Sequence, residues 1–190
     1  SSALNSFLNE NIPNMREVME LTTQLNIKTK KQKNNIIRTI SKMKLLDVDS
    51  GYFYIQMVDY QREIAHSLNY MVQPLKEHME NQHKPFTESQ SKEIRQLLLE
   101  VNAFFKLANH IIQEEKFDYI DNLVSDRIKI SNTLYDIEKV QVKRIKLKEV
   151  NTRNSLLFFK ALAETKNMLL QSVNLVKSHR DFILASKKAS

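Results

Sequence analysis

The sequence predicts an all-α fold: an antiparallel helical bundle of about five long helices, with a duplicated helix pair inside it. Three observations predict this. The 190 residues include one glycine, three prolines and no tryptophan, while Leu, Ile, Lys, Asn, Glu and Gln dominate. That composition suits long helices and disfavours sheets built on glycine turns. Apolar residues recur in alternating steps of three and four, the spacing that puts them on one helical face. A helix near the middle of the chain also recurs, polar residues included, about 105 positions later.

Breakers set the elements. Pro13, the segment Asp47–Gly51, the segment His83–Phe86, the Lys116–Asp118 corner and the Val150–Thr152 corner are the expected turns. They leave helix A at about 14–45, B at 51–82, C at 88–115, D at 118–147 and E at 152–184. Thr87 followed by Gln90 has capping-box spacing. Asp118 and Asp121 put acid in the first turn of D, where the helix dipole favours it. Pro74 is expected to kink helix B or end it early.

The core stripe is clearest in C, with Ile94, Leu97, Val101, Phe104, Ala108 and Ile111, widened by Leu98, Phe105 and Ile112. Helix B offers Phe53, Met57, Tyr60, Ile64, Leu68, Met71 and Leu75. Helix E offers Leu162, Leu169, Val173, Val176 and Ile183, with an extra flank that predicts the most central place. Short loops then force antiparallel neighbours.

Sliding B onto E by 105 positions sets Phe53 on Phe158, Asp59 on Glu164, His66 on Gln171, Ser67 on Ser172 and Asn69 on Asn174. Helical period explains the apolar matches; the Ser and Asn matches point to duplication. The implied organisation is a partial or frayed segment at 1–13, a first repeat of two helices at 14–85 and a second of three at 86–190, all in one compact domain. The opening helix of the first repeat is then truncated. A start at Ser1 without a methionine fits a piece of a longer protein.

The formal charge is +7 and cysteine is absent, which excludes disulfides and thiolate metal sites. No run of about 18 apolar residues exists to span a bilayer. Lys28, Lys30, Lys31, Lys33, Arg38, Lys42 and Lys44 form an acid-free basic patch between Glu20 and Asp47. With few aromatics interleaved it lacks base-stacking platforms, so no specific nucleic acid is expected. It suits an anionic lipid surface, non-specific phosphate contact or plain solvation. Lys143, Arg144, Lys146 and Lys148 suit the C-terminal dipole of D and need no function. His78, His83, His110 and His179 show no ligand spacing on one helix and read as surface or partly buried.

Enzyme chemistry finds no foothold: no glycine-rich phosphate loop, no Gly-x-Ser-x-Gly elbow, no cysteine nucleophile and no His-Glu-x-x-His helix. No catalytic residue and no cofactor is expected. Asp59, Glu63 and His66 share one stripe of helix B and are a candidate metal set, with Arg62 beside them as a competitor for the acids. The competing reading is a solvated or inter-helix polar stripe.

The stretch from Gly51 to Asn69 resembles the signature helix of the PhoU-like domain that follows the membrane part of bacterial sodium/phosphate cotransporter-family proteins. Lys143–Lys146 leading into Asn151–Ser155, Ala163–Asn167 and Lys177–Phe182 resemble it too. The resemblance covers about residues 14–183 and is strongest in helices B and E. It implies two three-helix repeats about a pseudo-twofold. It further implies a non-catalytic regulatory module at the cytoplasmic face of the bacterial inner membrane, partnered by the membrane transporter domain of the same parent chain. A homo-oligomer is a further expectation. PhoU proteins proper bind metal clusters through carboxylate motifs ahead of a His and an Asn. Aligned on His66 and Asn69, those carboxylate places hold Gln61 and Ala65, and in helix E Lys166 and Leu170, so that ligand set is missing. The contact surface expected from equivalent placement in the two repeats is Asp59, Glu63, His66, Asn69, Glu164, Gln171 and Asn174. The alternative is a stand-alone basic helical adaptor for nucleic acid or a partner protein.

Overall fold

The computed structural model of the protein describes residues 1–43 and 48–189. Among them are seven α-helices and one 3₁₀ turn, and no strand: α1 (Ser2–Leu8), α2 (Ile12–Asn34), α3 (Ile36–Ile40), α4 (Val48–Glu80), α5 (Glu88–Gln113), the 3₁₀ turn Phe117–Tyr119, α6 (Ile120–Lys146) and α7 (Thr152–Ala189). Lys44 of the basic patch and Asp47 of the second expected turn lie outside the described residues.

α4 and α7 pack along most of their length and form the spine. α1 and α2 lie against α4, whereas α5 and α6 lie against α7. The helix with the widest apolar coat is therefore the one in contact with three other long helices. Leu162, Leu169, Val173 and Val176 of α7 are all buried, as are Ile94, Leu97, Val101, Phe104, Ala108 and Ile111 of α5.

The stripe in α4 departs from its expectation. Met71 and Leu75 are buried, but Phe53, Met57, Tyr60, Ile64 and Leu68 are only half-buried, and the innermost positions are Val58, Ala65, Ser67 and Val72. Small residues on that line let α7 approach closely, which turns the larger side chains to the flank.

Local chemistry explains the boundaries. The capping box at α5 is present: Gln90 N–H donates to the Thr87 hydroxyl, and Thr87 N–H donates to Gln90 Oε1. α2 starts ahead of Pro13, with the Asn11 side chain accepting from Asn14 N–H and proline within the first turn, where no N–H is needed. The single helix expected at 14–45 is instead broken at Asn35. There the Asn35 side chain donates to the Lys31 carbonyl at 2.9 Å beside the Asn35 backbone N–H at 3.2 Å, so side chain and backbone share one acceptor where the helix ends. α4 runs through Pro74 to Glu80 without ending. Val72 and Leu75 on either side are fully buried, and Tyr70, whose carbonyl loses its helical donor, lies on the exposed side. Gly51, read as part of a turn, sits inside α4 and is buried against Ile40 and Met43.

Four corners share one device. Glu10, Gln82, Glu115 and Lys148 have positive φ, each just past the end of a helix. After α6, Glu149 N–H donates to the Arg144 carbonyl and Lys148 N–H to that of Ile145, the paired bonds of a Schellman ending. The same pair recurs after α1, where Asn11 and Glu10 donate to Ser6 and Phe7. A β-carbon in this conformation costs about 1–2 kcal/mol. Glu10→Gly and Lys148→Gly are therefore expected to stabilise the fold by about 0.5–1 kcal/mol each, after the extra freedom glycine gives the unfolded chain. Urea unfolding checks this, and a lowered midpoint in both variants contradicts it.

The segment before Pro13 forms α1, with Ala3, Leu4 and Phe7 buried in the shared core. At the far end of α4, Lys76 and Arg16 both bind Glu80 and hold its carboxyl below the ordinary range.

Candidate functional site

The interface between α4 and α7 is apolar at its centre and crossed by polar pairs. Ser50 meets Ser186 at 3.3 Å, Ser178 donates to Gln56 at 3.0 Å and Asn167 donates to Ser67 at 2.7 Å. Residue numbers rise on one helix as they fall on the other, which fixes an antiparallel register. From Asn167 the bonds continue along α7, with Gln171 donating to Asn167 at 3.2 Å and Asn174 to Gln171 at 3.5 Å. Two expected surface residues, Gln171 and Asn174, thus join a chain that reaches α4 through Asn167 and Ser67.

The α4 members behave differently. Asp59 is drawn to α2, with Lys33 Nζ at 2.8 Å from its Oδ1. Glu63 and His66 remain neighbours, with 3.8 Å between Oε1 and Nδ1. Arg62 does not compete for either acid; it donates to the carbonyl of Asn26 at 3.0 Å, to the Asn26 side chain and to Thr29. Asn69 and Glu164 are half-buried. Among the described residues no group of three His, Asp or Glu side chains is placed to hold a metal, so Asp59, Glu63 and His66 do not form a chelating set.

The basic patch is a solvent-facing surface. Lys28, Lys30, Lys31, Lys33, Arg38 and Lys42 are exposed, and so are Ile27 and Ile37, the latter 83% accessible. Lys28 and Lys31 border an open cleft of about 540 Å³ between α2, α3 and α4, with Ile27, Asn35, Thr39 and Tyr54. No described helix is long and apolar enough to cross a membrane.

Two groupings escaped the sequence. In the first, Gln90 and Gln141 are fully buried and bond at 3.1 Å; Gln141 also donates to Ser155, and Arg144 forms a two-pronged ion pair with Glu93 at 2.7 and 2.9 Å. This ties α5, α6 and α7 together at one end. The signal was present, since Ile130, Leu134, Ile137, Gln141 and Arg144 continue one stripe of threes and fours from apolar into polar residues. Arg144 is therefore a structural residue, not merely a complement to the dipole.

The second grouping surrounds His83. His78, read as surface or partly buried, is 5% accessible, and its Nε2 lies 2.8 Å from the Lys84 carbonyl. Arg153 Nη1 straddles the His83 ring, 2.8 Å from Nδ1 and 2.7 Å from Nε2. Burial, then the Arg153 charge and then His78, hold the His83 pKa below its ordinary value. At the opposite end of α7, burial likewise lowers His179, opposed by Glu115. Comparisons with protein-family models, with curated proteins and with solved structures found no match to this chain.

Proposed function

We propose that the chain is a non-catalytic, PhoU-like regulatory module appended to a sodium-dependent phosphate transporter, acting through its helix surfaces on phosphate uptake. The observation that carries this reading is the grouping of helices. α1, α2 and α4 contact one another as one set and α5, α6 and α7 as another, and the two sets meet chiefly along α4 and α7, with α1 also touching α5. Such a grouping is what two three-helix repeats, the first with a shortened opening helix, would produce. The resemblance of Gly51–Asn69 supplies the family. Residues 14–85, preceded by the partial segment 1–13, and residues 86–190 are then the two repeats, and Asp59, Glu63, His66, Asn69, Glu164, Gln171 and Asn174 the contact surface. The exposed basic end of α2 and α3 suits the anionic lipid surface beside such a transporter, at the cytoplasmic face of the inner membrane.

The test uses the transporter with this module attached. Removing the module is expected to change sodium-driven phosphate uptake into membrane vesicles. Asp59→Ala with Glu164→Ala is expected to shift uptake in the same direction while stability falls by less than about 1 kcal/mol, because the Lys33–Asp59 pair is half-exposed. Uptake indifferent to both changes contradicts the reading. Unfolding of the double variant would make these residues structural instead.

A second reading, a stand-alone basic adaptor, is favoured by the exposed cations of α2 and α3, Lys28, Lys30, Lys31 and Arg38 among them. It requires affinity for nucleic acid that falls steeply as salt rises, and absence of binding at low salt removes it.

A further inference from the structure

The connection between α4 and α5 is anchored from three directions. Phe86 is 6% accessible and wedged between Phe7 and Phe158, with ring centroids 4.7 and 5.3 Å away. Asn154 donates to the Pro85 carbonyl at 2.7 Å, and the His78 ring holds the Lys84 carbonyl. Gln82, in the left-handed conformation, turns the chain so that His83 follows directly on the helix end. A surface loop needs none of this merely to connect two helices.

What this frame presents is basic. Two clefts, of about 340 and 450 Å³, share His83 and Arg153; Lys160 and His78 line the first, Lys84 and Asn154 the second. Among the described residues Arg153 has no carboxylate in ion-pair range, and its guanidinium rests on an imidazole instead. Glu77 borders the first cleft, but it accepts from Gln73. His83 and Lys84 of the anchored connection meet Arg153 and Lys160 of α7 with no carboxylate paired to Arg153, which favours an anion from solution, and guanidinium, imidazolium and ammonium donors together match a tetrahedral oxyanion.

We propose that a small phosphoryl-type oxyanion binds where the two clefts share Arg153 and His83, gripped by those two residues, with Lys160 on the side of the first cleft and Lys84 on that of the second. Bound charge favours the protonated imidazole, so His83 gains a proton as the anion enters. The groups facing His83 are His78 and Glu77 from α4, Lys84 beside it, Arg153 and Lys160 from α7, and Glu10 from the corner after α1. The glutamates oppose the anion, which leaves the cations and His83 to set its affinity. This site is independent of any attachment to a transporter and is testable on the isolated chain.

Titration calorimetry with inorganic phosphate is expected to show one saturable site that weakens at least about tenfold in Arg153→Met, while Lys30→Met on the remote basic patch leaves it unchanged. Sulfate keeps its charge near neutrality, so its binding should tighten from about pH 8 to about pH 6 in the parent chain and stay flat in His83→Gln. Glycerol phosphate separates the sources: tighter binding than phosphate marks an esterified ligand, equal binding the free ion. Helix content by circular dichroism verifies folding, and Lys84→Met replaces Arg153→Met if that variant does not fold. Absence of saturation at about 10 mM phosphate, or equal loss in Lys30→Met, overturns the proposal, since it leaves only diffuse attraction to net positive charge.

Discussion

Arg144→Ala is expected to lower the unfolding free energy by about 3 kcal/mol. Its guanidinium side chain is 10% accessible and spans two helices, meeting both oxygens of Glu93 on α5 and Gln141 beside it on α6. Truncation leaves the Glu93 carboxylate, itself only 24% accessible, without its partner, and deprives the fully buried Gln141 of one donor. Removing one member of a buried pair typically costs 3–5 kcal/mol because the remaining charge stays desolvated, and the partial exposure of Glu93 sets the lower figure. Urea denaturation should show the midpoint falling with the slope unchanged. The pair's own worth is separate. Replacing both residues, as in Arg144→Met with Glu93→Leu, should recover most of the loss, since neither charge is then stranded. A single variant within about 1 kcal/mol of the parent would mean that water reaches Glu93 and the network is ornamental.

This network shows where sequence reading stops. Helix period finds α5 almost residue for residue because one pattern decides burial there: every third or fourth position is apolar from Ile94 to Ile111. The capping box is legible for the same reason, as both partners lie within one turn. The four left-handed corners are not legible, because glutamate, glutamine and lysine occupy places where glycine would have advertised a helix end. At the break, the Asn35 side chain shares the Lys31 carbonyl with the backbone, a local bond that propensity cannot weigh. In α4 the period correctly marked a helix but misjudged its inward face, since Ala65 and Ser67 are inside for being small and not for being the most apolar. Of the expected contact residues, Gln171 and Asn174 are joined by a bond, while Asp59 turns to Lys33; partner choice across helices is a tertiary fact. The pairing of His83 with Arg153 joins positions 70 apart, and no local pattern contains it.

Phe158→Ala is the other large effect, expected at about 3–5 kcal/mol, the range for truncating a fully buried phenylalanine. Two contributions add here. The cavity opens where α7, α1 and the α4–α5 connection meet, and Phe86 loses an edge-on ring neighbour at 5.3 Å, worth about 0.5–1.5 kcal/mol beyond burial. Phe86 also touches Phe7 of α1, so the damage should spread to a helix of seven residues, too short to persist without its packing. Native-state hydrogen exchange should then show α1 amides opening with a larger loss of protection than those of α5, whose core is untouched. The conservative change Phe158→Leu refills most of the space and should recover at least half the stability. It also separates positioning from binding. Arg153 is intact in Phe158→Leu, so phosphate affinity that falls in that folded variant means the aromatic wedge aims His83 and Lys84. Affinity equal to the parent would show that the loop holds its basic side chains without the wedge.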